Sequence, residues 1–141
     1  MVRESAPIAL PFLELGIILK EKGQYARAIE QFSDLLSQQL LEANGASEAR
    51  FYIGEAYQNM GEYRKAIEAY YKVSYHGAEG FSQWITSADF QRARCHESLG
   101  EYVTAITVYE RIVRREGGQS PQGEMGREQI DSLRRKLGKS D

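Results

Sequence analysis

The chain has 141 residues, 42% of them hydrophobic, and a formal net charge of −2 at pH 7. This length and composition suit one folded domain with a buried core, and they exclude a disordered or collagen-like chain. The balanced charge gives no sign of the clustered basic surface that nucleic-acid binding requires. The lone cysteine, Cys95, excludes an intrachain disulfide and a zinc site built from cysteines.

The apolar run near the start of the chain extends from Ile8 to Leu19. It is 12 residues long and carries Glu14, whereas a membrane-spanning helix needs ~20 apolar residues. No small-residue cleavage site follows the run, so it also makes a poor signal peptide. We therefore predict no membrane insertion, and the compartment stays open between the cytoplasm and the periplasm.

Helical periodicity and turn residues predict seven helices. In chain order they are Ile8–Lys22, Tyr25–Leu41, Ser47–Met60, Tyr63–Tyr75, about Ser82–Leu99, Tyr102–Glu116 and about Pro121–Leu137.

A sequence pattern recurs three times along the first six predicted helices. GQYARAIEQF begins at Gly23, GEYRKAIEAY at Gly61 and GEYVTAITVY at Gly100, with spacings of 38 and 39 residues. Self-similarity at a fixed period of this size predicts stacked supersecondary units. Each glycine is expected to take the positive φ that ends one helix of an antiparallel pair. The tyrosine two residues later begins the second helix.

Small residues stand seven positions before each of these glycines, and bulky residues stand four positions before. The small residues are Gly16, Gly54 and Ala93, and the bulky ones are Leu19, Tyr57 and His96. We predict that the small residues face the alanines of the second helices (Ala28, Ala66 and Ala105), which would let the two backbones approach closely. The aromatics Phe32, Tyr70 and Tyr109 are then expected to fill the gaps between neighbouring pairs.

The first and the last helix differ from the others. Apolar residues wrap almost the whole circumference of the first helix, which indicates burial on all sides. Three interpretations stay open: a further repeat precedes it in a longer chain, it mediates self-association, or it binds a partner or tolerates exposure. The candidate self-association residues are Leu10, Leu13, Ile17 and Ile18.

The last helix is predicted to cap the repeats. Ser120 is expected to be its N-cap and Pro121 its first helical residue. Its apolar positions form a narrow stripe: Met125, Ile130, Leu133 and Leu137. The basic cluster near its end (Arg134, Arg135, Lys136 and Lys139) is interpreted as complementing the helix dipole rather than as an anion-binding patch.

No arrangement of residues predicts catalysis. Cys95 and His96 are adjacent in a helix, so their side chains point about 100° apart. His96 stands at a packing position of the repeat, and His76 has no second ligand at metal-binding spacing. The turn glycines end helices and so do not form a phosphate-binding loop. We predict that the chain is not an enzyme and has no catalytic, cofactor or metal site.

The repeats resemble the tetratricopeptide repeat family, over about Ala9 to Arg115. The resemblance implies an all-α fold: a right-handed α-solenoid of three antiparallel helix pairs (about 9–41, 47–75 and 82–116) with a capping helix (about 121–137), in one domain over 1–141. The sequence departs from the family in two ways. The family's usual proline after the second helix is replaced by Leu40, Ala78 and Gly117, and the period exceeds the usual ~34 residues. Segments 40–47 and 76–82 are expected to absorb the excess, and such long periods look similar to bacterial cell-envelope members.

The resemblance also implies a concave groove lined by the first helix of each pair. Ten residues before each turn glycine stand Leu13, Phe51 and Phe90, six before stand Ile17, Glu55 and Arg94, and three before stand Lys20, Gln58 and Glu97. This lining would combine an apolar floor with charges of both signs, which suits a peptide or a partner helix. The alternative is that Phe51 and Phe90 only pack between repeats.

One subclass of the family is not expected. Members that clamp the acidic C-terminal carboxylate of chaperones carry lysine, asparagine and basic residues at set groove positions, where this chain has Leu13, Ile17, Tyr52, Ser87 and Gln91. Two functions are therefore kept: an interaction scaffold that binds a protein or peptide in the groove, and a structural segment of a longer solenoid or homo-oligomer. No nucleic acid and no cofactor are expected as ligands.

Overall fold

The computed structural model describes residues 9–76 and 82–139, and these ranges contain seven α-helices and no β-strand. The helices are α1 (Ala9–Glu21), α2 (Tyr25–Ser37), α3 (Ala43–Asn59), α4 (Tyr63–His76), α5 (Ser82–Ser98), α6 (Tyr102–Glu116) and α7 (Pro121–Lys139). The predicted all-α fold is confirmed. None of the helices in these ranges is long and apolar enough to cross a lipid bilayer.

Three glycines end the first helix of each pair in the left-handed region of backbone space. The φ angles are +78°, +77° and +75° at Gly23, Gly61 and Gly100. At the first turn, the amide of Gln24 donates to the carbonyl of Leu19 at 2.9 Å, and the amide of Gly23 donates to that of Lys20 at 3.0 Å. These bonds satisfy carbonyls at the helix end, and a side chain at the positive φ would be strained. The predicted turn at each glycine is confirmed.

The end of α2 differs from the predicted one. The helix ends at Ser37 instead of Leu41, because Gln39 takes a positive φ of +55°. The amide of Leu40 then reaches back to the carbonyl of Leu35 at 3.4 Å, as in a helix-ending motif that normally uses glycine. The prediction was wrong because no glycine marks this turn.

Helix α3 begins at Ala43, four residues before the predicted start at Ser47. The carboxylate of Glu42 caps it by accepting from the amides of Asn44 at 3.0 Å and Gly45 at 2.6 Å. Most of segment 40–47 is therefore helical, and a longer α3 absorbs the excess period there. Within 76–82, residues 77–81 lie outside the described part. Of the remaining predictions, α6 has the expected bounds and the other helices agree within two residues, with Ile8 outside the described residues.

The chain divides into two compact units, Met1–Ala88 (unit 1) and Asp89–Asp141 (unit 2). Each is described by itself below, and the single domain over 1–141 stays a prediction.

In unit 1, an aromatic ring lies against the small residue of each first helix. A Cβ atom placed on Gly16 would lie 2.5 Å from the ring of Phe32, and one on Gly54 would lie 2.5 Å from the ring of Tyr70. Both aromatic side chains are fully buried. The ring of the same pair thus occupies the space that the missing Cβ leaves at both glycines, and the contact of the small residues with the alanines of the partner helix stays a prediction.

In unit 2, α6 and α7 pack together around a second core. Its buried members are Ala93, Ala105, Ile106, Val108, Tyr109, Ile112, Ile130 and Leu133. Ser120 caps α7 as predicted, since its hydroxyl accepts from the amide of Gly123 at 2.9 Å. Met125 is not part of the buried stripe, because its side chain is 55% exposed. Gly126 faces α6 instead, and a Cβ there would lie 2.9 Å from Val113.

Candidate functional site

Of the residues considered for catalysis, Cys95 and His96 are both buried. Cys95 is fully buried, and this burial raises the pKa of its thiol to about 11. His96 is buried as expected, and its Nδ1 lies 2.8 Å from the carboxylate of Glu101. The side chain of His76 lies outside the described part. Within the described residues, no group of three or more His, Cys, Asp or Glu side chains could hold a metal ion.

Two predicted groove residues of unit 1 meet across α1 and α3. The ammonium of Lys20 lies 3.2 Å from the carboxylate of Glu55 and 4.7 Å from the centre of the Tyr52 ring. The side chains of the ion pair are 17% and 32% exposed. Such a partly desolvated pair is screened less than one at a fully exposed surface. It fixes the positions of these side chains at one surface.

The Tyr52 ring beside this ion pair belongs to a group of five aromatic rings in unit 1, which we call the aromatic cluster. They are Phe32, Phe51, Tyr52, Tyr70 and Trp84, joined by ring-centre distances of 5.6 to 6.2 Å. Phe51 is 9% exposed and contacts three of the others, whereas Tyr52 and Trp84 remain partly exposed. The indole of Trp84 is held in place because its Nε1 donates to Asn44 Oδ1 at 2.8 Å.

Negative charge surrounds the exposed edge of this cluster. The pKa of Tyr52 is raised to about 12, first by burial and then by the charge of Glu48, a hydrogen bond to it, and the charges of Glu55 and Glu21. Lys20 compensates only part of this charge. The Tyr52–Trp84 surface, meaning Lys20, Glu48, Tyr52, Glu55 and Trp84, therefore offers aromatic faces beside carboxylates. That chemistry suits an apolar side chain next to a lysine or arginine.

The other predicted groove residues of unit 1 are less accessible. Leu13 and Phe51 are buried and belong to the core of the unit, and Ile17 is half-buried against that core. Gln58 accepts a hydrogen bond from the hydroxyl of Tyr70 at 2.6 Å. The surface of unit 1 that a ligand could reach therefore consists of the predicted Lys20 and Glu55 together with Glu48, Tyr52 and Trp84, which were not among the predicted groove residues.

The predicted groove residues of unit 2 lie on α5 beside α6. Phe90 is half-buried, and its ring centre lies 5.9 Å from that of Tyr109. Glu97 accepts a 2.5 Å hydrogen bond from the hydroxyl of Tyr109. Burial and then this bond raise the pKa of Tyr109. Arg94 is exposed.

A buried ionic group also lies in unit 2. Asp89 is 1% exposed, and its two carboxylate oxygens lie 3.2 Å from Arg92 and 3.0 Å from Arg115. Sequence reasoning missed this group, although a signal existed. Asp89 stands four residues before the buried Ala93, so both lie on the same helical face.

The two aromatic residues of the candidate surface were not equally predictable. Tyr52 stands four residues after Glu48 and three before Glu55, so helical spacing places the three on one face. Trp84 has no counterpart at a repeated position, and its place depends on the packing of α5 against α3. No local pattern reports that contact.

Comparison with known proteins identifies the repeats. Family models described as tetratricopeptide repeat match residues 13–80 and 87–116. Among curated proteins, none matches the sequence significantly.

Several solved structures have a similar fold. The chain is 18% identical to the Yersinia enterocolitica type III secretion chaperone SycD in complex with a peptide of the translocator YopD, covering 94% of this chain and 97% of that chain with a TM-score of 0.75. For the Sgt2 tetratricopeptide repeat domain of Aspergillus fumigatus the identity is 19%, the coverage 97% and 83%, and the TM-score 0.71. For PcrH in complex with the chaperone binding region of PopD, the identity is 17%, both chains are covered to 100%, and the TM-score is 0.69. At identities this low, the comparison shows a shared fold and nothing about a shared function.

Proposed function

Because the chain belongs to the tetratricopeptide repeat family, we propose that it is a protein-interaction scaffold that binds a peptide or a partner helix. The observation that carries this proposal is the Tyr52–Trp84 surface, where two aromatic side chains stay partly exposed while their positions are fixed by packing and by Asn44. Fixed aromatic side chains are frequent binding anchors because they lose little conformational entropy on binding.

The similar structures support this class of function. SycD holds a peptide of a translocator, and PcrH holds the chaperone binding region of PopD. For the present chain, the carboxylates Glu48, Glu55 and Glu21 around Tyr52 favour a ligand with a basic residue beside an apolar one. The same negative charge disfavours an acidic C-terminal tail, which agrees with the absence of the clamp residues. No catalytic step is part of the proposal.

The test uses the only tryptophan of the chain, Trp84, as a reporter of binding. Peptides are selected on the protein from a phage-displayed library of random dodecapeptides and then titrated while the Trp84 fluorescence is recorded. We expect enriched peptides that combine lysine or arginine with apolar residues and that shift the emission. Tyr52→Ala and Glu55→Lys should weaken their binding by about tenfold or more, the factor that ~1.4 kcal/mol corresponds to.

Glu30→Lys provides the matched control, since it makes the same charge change at an exposed position of α2. This variant should bind the peptides as the unmutated chain does. Selected peptides that bind all three variants equally, or a selection without basic and apolar peptides, would contradict the proposed surface. Circular dichroism of each variant establishes that the helices are retained.

A second candidate function is a structural one: a section of a longer solenoid, or self-association through α1. The observation that favours it is the outer face of α1, where Leu10, Phe12, Leu15 and Ile18 are each 41–56% exposed. Of the residues first considered for self-association, Leu10 and Ile18 are on this face, whereas Leu13 is buried. The second candidate differs from the first in requiring α1 and leaving the Tyr52–Trp84 surface unused.

A further inference from the structure

Unit 1 also has a cleft, which lies on the opposite side of α3 from the Tyr52–Trp84 surface. It has a volume of about 580 Å³ and is bounded by α2, α3 and α4. Arg50 and Tyr57 of α3 line it, and they stand seven residues apart, on one face of the helix. Tyr52 follows Arg50 by two residues, a rotation of about 200° around the helix axis. The two surfaces therefore point away from α3 in nearly opposite directions.

The walls of this cleft are apolar and its charged groups are mainly basic. Leu36, Ile53 and Ala69 contribute hydrocarbon surface from three helices. The charged residues that line the cleft are three cations, Arg50, Lys65 and Lys72, and one carboxylate, Glu68. Glu68 pairs with Lys72 at 3.8 Å through side chains that are both more than half exposed. Arg50 and Lys65 are not balanced by this carboxylate, so the lining keeps a net positive charge.

Arg50 is the partly buried cation of this cleft. Its side chain is half-buried, and within the described ranges it makes no hydrogen bond or ion pair. Burial lowers the pKa of its guanidinium, and no carboxylate counteracts the effect. A partly desolvated guanidinium carries an energetic cost until an anion pairs with it. The planar group presents donors suited to a carboxylate.

We propose that this cleft is a docking site for an acidic peptide segment of a partner protein, in which an apolar side chain enters between α2 and α4 and an adjacent carboxylate pairs with Arg50. Charge complementarity selects this occupant: three cations face one carboxylate around an apolar floor. The volume accommodates one or two large side chains rather than a folded domain. The proposal does not depend on the Tyr52–Trp84 surface, which favours basic peptides.

The test selects phage-displayed random dodecapeptides on the unmutated protein and measures their binding to defined variants. We expect a class of peptides with aspartate or glutamate beside leucine, isoleucine or phenylalanine. Arg50→Gln should weaken their binding by about tenfold or more, as expected when a charge-assisted hydrogen bond is lost. The double variant Lys65→Glu/Lys72→Glu changes only exposed side chains, so it tests the same charge without disturbing the core.

Lys22→Glu/Arg27→Glu is the matched control, because it makes the same two charge changes at exposed positions of unit 1 outside the cleft. Its affinity for the acidic peptides should equal that of the unmutated chain. Equal binding to all variants, or no acidic and apolar class among the selected peptides, would overturn the proposal. Binding to phosphatidylserine vesicles that is lost in Arg50→Gln, with no peptide binding, would overturn it in favour of an anionic membrane surface. Tyr52→Ala should leave the acidic peptides bound, which separates this site from the proposed function.

Discussion

The hydroxyl of Tyr70 donates to the Oε1 atom of Gln58 at 2.6 Å, and the third pair repeats this bond between Tyr109 and Glu97. In each case the aromatic residue lies nine positions after the turn glycine and its acceptor three positions before it. The first pair has Phe32 at the aromatic position, and Lys20 at the acceptor position bonds to Glu55 instead. The residue three positions before the turn therefore bonds within its own pair where a tyrosine hydroxyl faces it, whereas Lys20, which has no acceptor atom, pairs with a carboxylate of the next pair.

The first prediction concerns these hydroxyl groups. Tyr70→Phe should lower the free energy of unfolding by about 1 kcal/mol, and Tyr109→Phe by about 1.5 kcal/mol or more, because a charged acceptor strengthens the bond. Chemical denaturation followed by circular dichroism measures both. Tyr63→Phe is the control, since its hydroxyl makes no bond within the described residues. Equal losses for all three variants would show that the hydrogen bonds contribute nothing specific.

The second prediction concerns the space at Gly54. An alanine Cβ there would lie 2.5 Å from the ring of Tyr70. Overpacking of this kind costs about 1–3 kcal/mol, which exceeds the gain of ~1 kcal/mol that alanine brings in a helix. Gly54→Ala should therefore lower the melting temperature. Gly138→Ala in α7 meets no atom within 4 Å and should raise it or leave it unchanged. Stabilisation by Gly54→Ala would mean that the ring shifts without cost.

The third prediction concerns the carboxylate of Asp89 between Arg92 and Arg115. Asp89→Ala should destabilise the protein by about 3–5 kcal/mol, because the buried Arg92 and the partly exposed Arg115 then lose their shared counter-charge. Glu68→Gln, which breaks an exposed pair with Lys72, should change the stability by less than about 0.5 kcal/mol. Urea unfolding compares the two. A loss below about 1 kcal/mol for Asp89→Ala would indicate that water reaches Arg92 in the variant.

The fourth prediction concerns Cys95 and pH. Burial raises the pKa of its thiol from 9.0 to about 11, so at pH 8 roughly one thiol in a thousand is ionised in the folded chain. A disulfide reagent should therefore react only as fast as the protein opens, and denaturant should restore full reactivity. Immediate reaction at pH 8 without denaturant would contradict the burial of the thiol.

The raised pKa of Cys95 also predicts that the free energy of unfolding falls as the pH rises into the alkaline range. The folded chain holds the proton more tightly than the unfolded chain, so the contribution is fully present below about pH 9 and is lost as the pH rises towards about 11. Cys95→Ala should flatten the fall in stability over this range. An unchanged pH profile in the variant would assign the alkaline loss to other groups, such as Tyr52.

The fifth prediction concerns self-association through α1. Light scattering should give the unmutated chain a mass above that of the 16.0 kDa monomer. The variant Phe12→Glu/Leu15→Lys changes two exposed apolar residues and should be monomeric. Substituting Leu13 would be a poorer test, because its burial means that a charge there disturbs the core. Lys22→Glu, exposed after α1, is the control, and a monodisperse monomer for the unmutated chain would exclude the interface.

The sequence by itself determined the all-α fold, the three turns and most helix bounds. Local physics decides these features: glycine adopts the positive φ at Gly23, Gly61 and Gly100, and periodic apolar residues define the buried helix faces. The same reasoning failed at Gln39, where a residue other than glycine takes that conformation. It failed again at Glu42, whose carboxylate caps α3 although glutamate is not among the usual N-cap residues.

Only the tertiary structure decided which residues a ligand can reach. Helical spacing gives the direction of a side chain from its own axis but does not show which neighbour covers it. Phe51 and Tyr52 are adjacent and both contact rings of the aromatic cluster, yet Phe51 is buried and Tyr52 remains partly exposed. Arg50 likewise lines a cleft only because residues of α2 and α4 form its other walls. Burial and charge compensation are sums over contacts between distant segments, and no local pattern in the chain contains them.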